Sequence, residues 1–109
     1  MVRVSGVSME PTLRSGDLLL VRYAAAPRCG DLAVVRLPNA DDGTARPIAV
    51  KRVTGTDPQD PSRWWVERDN PREGVDSWRV GGIPAADILA VVVARLWPHP
   101  TRLRPDRPA

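Results

Sequence analysis

One lysine, one cysteine, one histidine, one tyrosine and no phenylalanine occur in the 109 residues of this chain. The single Cys29 rules out an intrachain disulfide and a metal site built from thiolates, which leaves a small turn or core residue as its expected role. The single histidine, His99, sits between Pro98 and Pro100 in a stretch ill suited to holding a side chain rigidly. Neither a Cys-His pair nor a Ser-His-Asp triad is therefore expected. Long apolar runs are missing too. The longest, residues 88–94, ends at Arg95 and falls far short of the about 20 residues that span a bilayer. No secretory leader is expected ahead of the domain. Charge of one sign is not concentrated either: 16 basic and 13 acidic residues interleave to a net charge of +3. Such a mixed surface gives no reason to expect a nucleic-acid partner, and nothing in the composition asks for a metal or another cofactor.

What is abundant is aliphatic and β-favouring. Val, Leu, Ile and Ala supply most of a 42% hydrophobic fraction, while 12 prolines and 8 glycines punctuate the chain too often for long helices. The expectation is a mainly β, antiparallel fold with at most one or two short helices around one modest core. Residues 1–97 are assigned to that domain and the Pro- and Arg-rich residues 98–109 to a flexible tail.

Taken in order, residues 3–7 read as an extended run leading into Ser8. Residues 14–22 and 28–36 then form a near-repeat, Arg-Ser-Gly-Asp and Arg-Cys-Gly-Asp each followed by a short apolar run, which reads twice as turn then strand. Residues 38–47 read as a loop, residues 48–53 as a strand, residues 54–62 as a polar turn region, and residues 64–67 as a strand. Residues 68–79, dense in Asp, Asn and Ser, read as a loop whose side chains satisfy their own backbone. Residues 83–87 suggest one helical turn before a last strand over residues 88–97.

Two residues stand out chemically. Ser8 lies in the turn-forming stretch Ser8-Met9-Glu10-Pro11-Thr12-Leu13, where Pro11 fixes its own φ and restricts Glu10, so a hydroxyl can be presented at a reproducible angle. A serine in a turn is by default a backbone cap. Lys51 changes that reading, because every other basic position from Arg3 to Arg107 is arginine. At a surface site the two cations are close substitutes, but arginine cannot lose its proton and so cannot be a general base, whereas a buried lysine can. Val50, Val53 and Ile48 are expected to wall off an apolar pocket that lowers its pKa.

Together these stretches carry a resemblance. Ser8-Met9-Glu10-Pro11-Thr12-Leu13, Gly30-Asp31-Leu32, Val50-Lys51-Arg52-Val53-Thr54-Gly55, Asp69-Asn70 and Asp76-Ser77 resemble, in order, the motif boxes of the type I signal peptidase family, over nearly the whole domain from Val4 to about Pro98. The resemblance implies a serine endopeptidase in which Ser8 is the nucleophile and Lys51 the general base. It also implies a β fold in which a precursor polypeptide lies as an extended strand beside the segments entering the two residues. The Ser8 N–H is expected to face the oxyanion, and Val4, Gly6, Val7, Met9 and Val50 to line the oxyanion and substrate region, with small residues preferred next to the scissile bond. Arg52, Asp69, Asn70 and Asp76 are expected to support the pair from behind.

Some positions depart from the family. Gly6 stands where many members have a serine donor, Arg68 replaces the glycine before Asp-Asn, Gly74 stands where a serine often orients the lysine, and Trp78 replaces an arginine for which Arg79 is the nearest substitute. With Trp64-Trp65-Val66, Trp97-Pro98 and no membrane anchor, the chain looks most like the small soluble branch that includes maturation proteases of nickel-type superoxide dismutase. That likeness implies removal of an N-terminal extension from a cytoplasmic precursor. The alternatives are a signal peptidase catalytic domain lacking its membrane anchor, hence membrane-associated, and an inactive relative that binds extended peptides by strand addition. The oligomeric state stays open.

Overall fold

A computed structural model describes residues 1–103. Its eight strands are β1 (Val2–Arg3), β2 (Leu18–Tyr23), β3 (Leu32–Val35), β4 (Ala49–Asp57), β5 (Asp60–Glu67), β6 (Ile83–Pro84), β7 (Ile88–Trp97) and β8 (Thr101–Arg102). One four-residue helix, α1 (Ser77–Val80), and a 3-10 turn, Ala85–Asp87, complete the inventory among the described residues. The strands form one antiparallel sheet in the order β1-β2-β7-β3-β4-β5-β6, with β8 paired to β7. The mainly β expectation holds.

The two Arg-x-Gly-Asp stretches build the same turn. In each, the Asp N–H donates to the Arg carbonyl (Asp17 to Arg14 at 3.0 Å, Asp31 to Arg28 at 2.9 Å) and the Asp carboxylate accepts the Arg N–H (2.9 and 2.7 Å). Gly16 and Gly30 both have φ of +95°, a region in which a Cβ would be strained, so glycine is required at this corner. Each turn launches a strand towards the same partner, β7.

The sheet is covered on both faces, and β3 shows why an uninterrupted apolar run suits its centre. Leu32 and Val34 pack into one cluster with Met9, Leu13, Leu19 and Val50, while the alternating Ala33 and Val35 pack into a second with Val53, Val66, Ile83 and Ile88. Register shifts interrupt the β2–β7, β3–β7 and β4–β5 pairings. Bulges of this kind bend strands and let a single sheet coil around its own core.

Several expectations change. The polar stretch 54–62 is mostly strand: β4 and β5 form one long hairpin, its tip closed by Asp57 accepting the Gln59 N–H (2.9 Å) and Asp60 accepting the Ser62 N–H (3.1 Å). β-branched Thr54 and Thr56 favour the pleat, and aspartates that could have made an open loop instead tie a tight turn. The extended run expected over residues 3–7 stops after Arg3, because Gly6 turns the chain at φ +87°. Residues 83–87 divide into β6 and the 3-10 turn. Within the stretch expected to be a flexible tail, Thr101 and Arg102 pair with Arg95 and Ala94. Arg95 anchors that return, donating to the His99 carbonyl (2.9 Å) and Thr101 Oγ1 (2.9 Å). The rest of the tail, residues 104–109, lies outside the described residues.

Candidate active site

Ser8 is held by what flanks it. Met9 and Leu13 are buried in the core and joined by a hydrogen bond from the Leu13 N–H to the Met9 carbonyl (2.9 Å), so the turn is nailed down just after the serine. On the other side, Asn70 grips two successive carbonyls: its Nδ2 donates to Val7 O (2.9 Å) and its N–H to Ser8 O (2.8 Å). Asn70 thereby fixes both peptide planes beside the hydroxyl. Among the described residues the Ser8 N–H meets no acceptor, which leaves it free to face a ligand.

Lys51 reaches this turn from β4. It is 2% exposed, and its Nζ donates to Ser8 Oγ at 3.0 Å. Strand alternation decides its surroundings: Lys51 stands opposite Ala33 on β3 and shares a face with Ala49 and Val53. Ala33 opposite leaves room for the long stem. The apolar pocket is therefore built by these three residues and not by Val50, which points to the other cluster, or by Ile48, which lies before β4 and is 55% exposed. Burial holds the Lys51 amine below the 10.5 of an ordinary lysine. The Arg68 charge lowers it further, while the Asp76 carboxylate opposes both.

Of the polar residues expected to support the pair, Arg52 and Asp69 fall in one hydrogen-bonded set and Asp76 in another. Arg52 forks onto Asp69 (Nε to Oδ1 2.9 Å, Nη2 to Oδ2 2.8 Å) and reaches the Gly30 carbonyl (2.9 Å), while Thr12 Oγ1 donates to Asp69 Oδ2 (2.5 Å). This set ties the serine turn, β4 and one Arg-x-Gly-Asp turn into one body. Burial pushes the Asp69 carboxyl up, but hydrogen bonds from Arg52 and Thr12 outweigh it and leave the group below the usual carboxylate range. In the second set, buried Asp76 caps α1 by accepting the Trp78 N–H (3.1 Å) and also takes the Arg68 N–H (3.2 Å), while buried Ser77 Oγ accepts the Val66 N–H (2.9 Å).

Beside Ser8 runs a groove of about 390 Å³, with residues 2–6 along one side and residues 46–50 along the other. Val4 and Val50 are buried walls of it, Gly6 and Met9 line it, and exposed Val7 lies at the serine turn outside its lining. Val4 offers no backbone to a ligand strand, because its N–H donates to Asp17 O (2.8 Å) and its carbonyl accepts the Gly16 N–H (2.8 Å). β4 does offer an edge. Its pairing to β5 begins at Arg52, so among the described residues Ala49–Lys51 are paired to β3 alone.

Sequence reasoning noted Gly74 and Arg68 only as departures from the family pattern and did not count them among the site residues. A Cβ built on Gly74 (φ +95°) would stand 2.6 Å from Ser8 Cβ and 3.2 Å from Lys51 Nζ, so the loop backbone itself closes over the pair. No short motif marks such a contact. Arg79 does not replace the missing arginine: it is exposed and lies 3.7 Å from Asp41. Trp78 also turns outward, 76% exposed, donating to Glu67 Oε1 (2.9 Å) and set edge-on to Trp65.

Comparison with known proteins places this chain among peptidases. The mitochondrial inner membrane protease subunit 1 of Schizosaccharomyces pombe is 32% identical, the match covering 88% of this chain and 72% of that protein. The subunit of the same name from Mus musculus is 27% identical over 89% of this chain and 69% of its own length. No solved structure gives a significant match. The chain is a signal-peptidase-like protease. Residues 1–93 match the Peptidase S24-like family, and the chain belongs to it.

Proposed function

We propose that this protein is a serine endopeptidase in which Ser8 and Lys51 form the catalytic pair, and that it removes an N-terminal leader or extension from a precursor polypeptide. The observation that carries the reading is the 3.0 Å contact between Ser8 Oγ and a lysine that is 2% exposed and shifted towards its neutral form by burial. A neutral amine at that distance accepts the Oγ–H proton as Oγ attacks the scissile carbonyl carbon. The Ser8 N–H then stabilises the oxyanion, a contact worth about 100- to 1000-fold in comparable sites. The resulting ammonium returns its proton to the leaving amine. Water, deprotonated by the same lysine, releases the acyl group from Ser8.

The substrate strand pairs along Ala49–Lys51, and its side chains enter the groove between residues 2–6 and 46–50. Walls of Val4, Val50 and Met9 favour small apolar residues next to the scissile bond. A nickel superoxide dismutase precursor draws no support from the relatives above. Nor does a cytoplasmic location: those relatives are named as mitochondrial inner membrane proteases, which favours a catalytic domain working at a membrane. Among the described residues no helix is long and apolar enough to cross one.

Cleavage of leader-bearing precursor peptides tests the pair directly. Lys51→Arg keeps the charge and much of the length but cannot accept a proton, so kcat/KM should fall about 10²–10⁴-fold in a folded protein. Ser8→Ala should be as inactive, and the double variant little worse than either. A folded Lys51→Arg protein that cleaves at close to the parental rate would refute the assignment. Strand binding with no cleavage by the parent would leave a peptide-binding relative.

A further inference from the structure

The loop that closes over the pair has little of its own to hold it. Residues 71–74 are all exposed and place no side chain in either core cluster. Their position rests on polar ties. Two come from Asn70, whose Oδ1 accepts the Arg72 N–H (3.1 Å) and whose carbonyl accepts the Glu73 N–H (3.4 Å). Two come from Arg68, whose Nη1 donates to Gly74 O (2.9 Å) and Nη2 to Pro71 O (2.9 Å). Arg68 is itself fixed at its backbone by Asp76 Oδ2 (3.2 Å). Among the described residues its buried Nε has no hydrogen-bond partner, a costly arrangement unless something else is gained by it.

We propose that Arg68 is a positioning residue of the Ser8–Lys51 pair: its guanidinium clamps residues 71–74 so that the Gly74 backbone lies against Ser8 Cβ and Lys51 Nζ and shuts water away from the amine. The proposal rests on the catalytic reading above. Against the lysine this loop places bare backbone, and the clamp does the work of holding it there. Arg68 acts on the amine a second way. Among the described residues no carboxylate pairs with its guanidinium, so its fixed charge disfavours the ammonium. The other groups facing Lys51 are Ser8 Oγ from the serine turn and Asp76 from the start of α1, the latter pulling the opposite way; Ala33 on β3 brings no charge.

Because Lys51 is the only lysine in the chain, protein labelled with ¹³C at lysine Cε gives a single side-chain signal whose pH titration reports this amine without any substrate. The parent midpoint should lie below 10.5. Arg68→Gln should raise it by at least about half a pH unit, while Arg72→Gln, which removes a charge from the same loop without touching the clamp, should leave it within about 0.2 units. Circular dichroism and melting establish that each variant is folded, and Arg68→Met, which keeps the aliphatic stem, gives the same reading if glutamine proves disruptive. A midpoint unchanged in Arg68→Gln, or raised equally by Arg72→Gln, overturns the clamp while leaving the pair standing. A parent midpoint at 10.5 overturns the pair and the clamp with it.

Discussion

A buried lysine is a poor choice for stability, and that makes its presence informative. Lys51 sits among Ala33, Ala49 and Val53, where its charged form is disfavoured. Its folded pKa lies below the unfolded value, so the unfolded chain binds more protons between the two, and stability rises with pH across that window. The penalty is fully present below the folded pKa and gone above about 10.4. Lys51→Met fills the same space without a charge. We expect that variant to melt higher than the parent near neutral pH, by on the order of 1 kcal/mol or more, with the gap narrowing as the pH approaches 10. Thermal unfolding across pH checks this. If Lys51→Met were less stable at every pH, the lysine's role would be structural, through its attraction to Asp76.

Between elements, the decisive contact is made by backbone. The loop after β5 and the turn after β1 meet at Asn70, which holds the carbonyls of Val7 and Ser8, and at Gly74, which touches the pair itself. Neither contact involves a group that a motif would single out as reactive. Gly74→Ala should separate packing from chemistry. The new methyl would stand 2.6 Å from Ser8 Cβ at a residue with φ +95°, so either the loop or the serine must shift. A misplacement of about 1 Å can cost about 100-fold in rate. The expected outcome is therefore a folded protein with kcat/KM reduced at least about 100-fold and a stability loss of about 1 kcal/mol, read from peptide cleavage and melting. Retained activity would mean that the loop has slack. Gly74→Ser should fare no better, since it too carries a Cβ.

At the scale of the whole molecule, one coiled sheet covers two clusters, and the site sits where elements from both are joined. Met9 belongs to one cluster, Val53 to the other, and the Ser8–Lys51 contact bridges them. The segment that follows β7 pairs back onto it through β8. Arg95 on β7 links the returning segment at His99 and Thr101 to Asp17 (3.6 Å) and to the Thr12 carbonyl (3.3 Å), the last residue but one of the serine motif. We propose that the peptidase unit extends through β8 and does not stop at residue 97. Truncation after Trp97 removes β8 and two acceptors of Arg95, and should lower stability by about 1–2 kcal/mol, seen as a lower melting temperature, with cleavage at moderate temperature largely kept. An unchanged melting temperature would return residues 98–103 to the tail.

The sequence by itself determined the strand-rich class, the twin Arg-x-Gly-Asp turns and the last strand over residues 88–97, and it singled out Ser8 and Lys51, which the structure brings into contact. These are local or compositional: a turn needs a glycine where φ is positive, a buried strand needs an unbroken apolar run, and a lone lysine among arginines can be read without coordinates. It also misread the stretch 54–62, because Asp, Gln, Pro and Ser near a hairpin tip look the same whether the strands beside them are long or short. Only the tertiary structure decided that Ala33 faces Lys51, that Ile48 does not, that Arg68 holds the loop and that Gly74 closes over Ser8. Those facts depend on strand register and on distances between segments far apart in the chain. A one-residue change of register would turn Lys51 to the opposite face with no change in sequence at all.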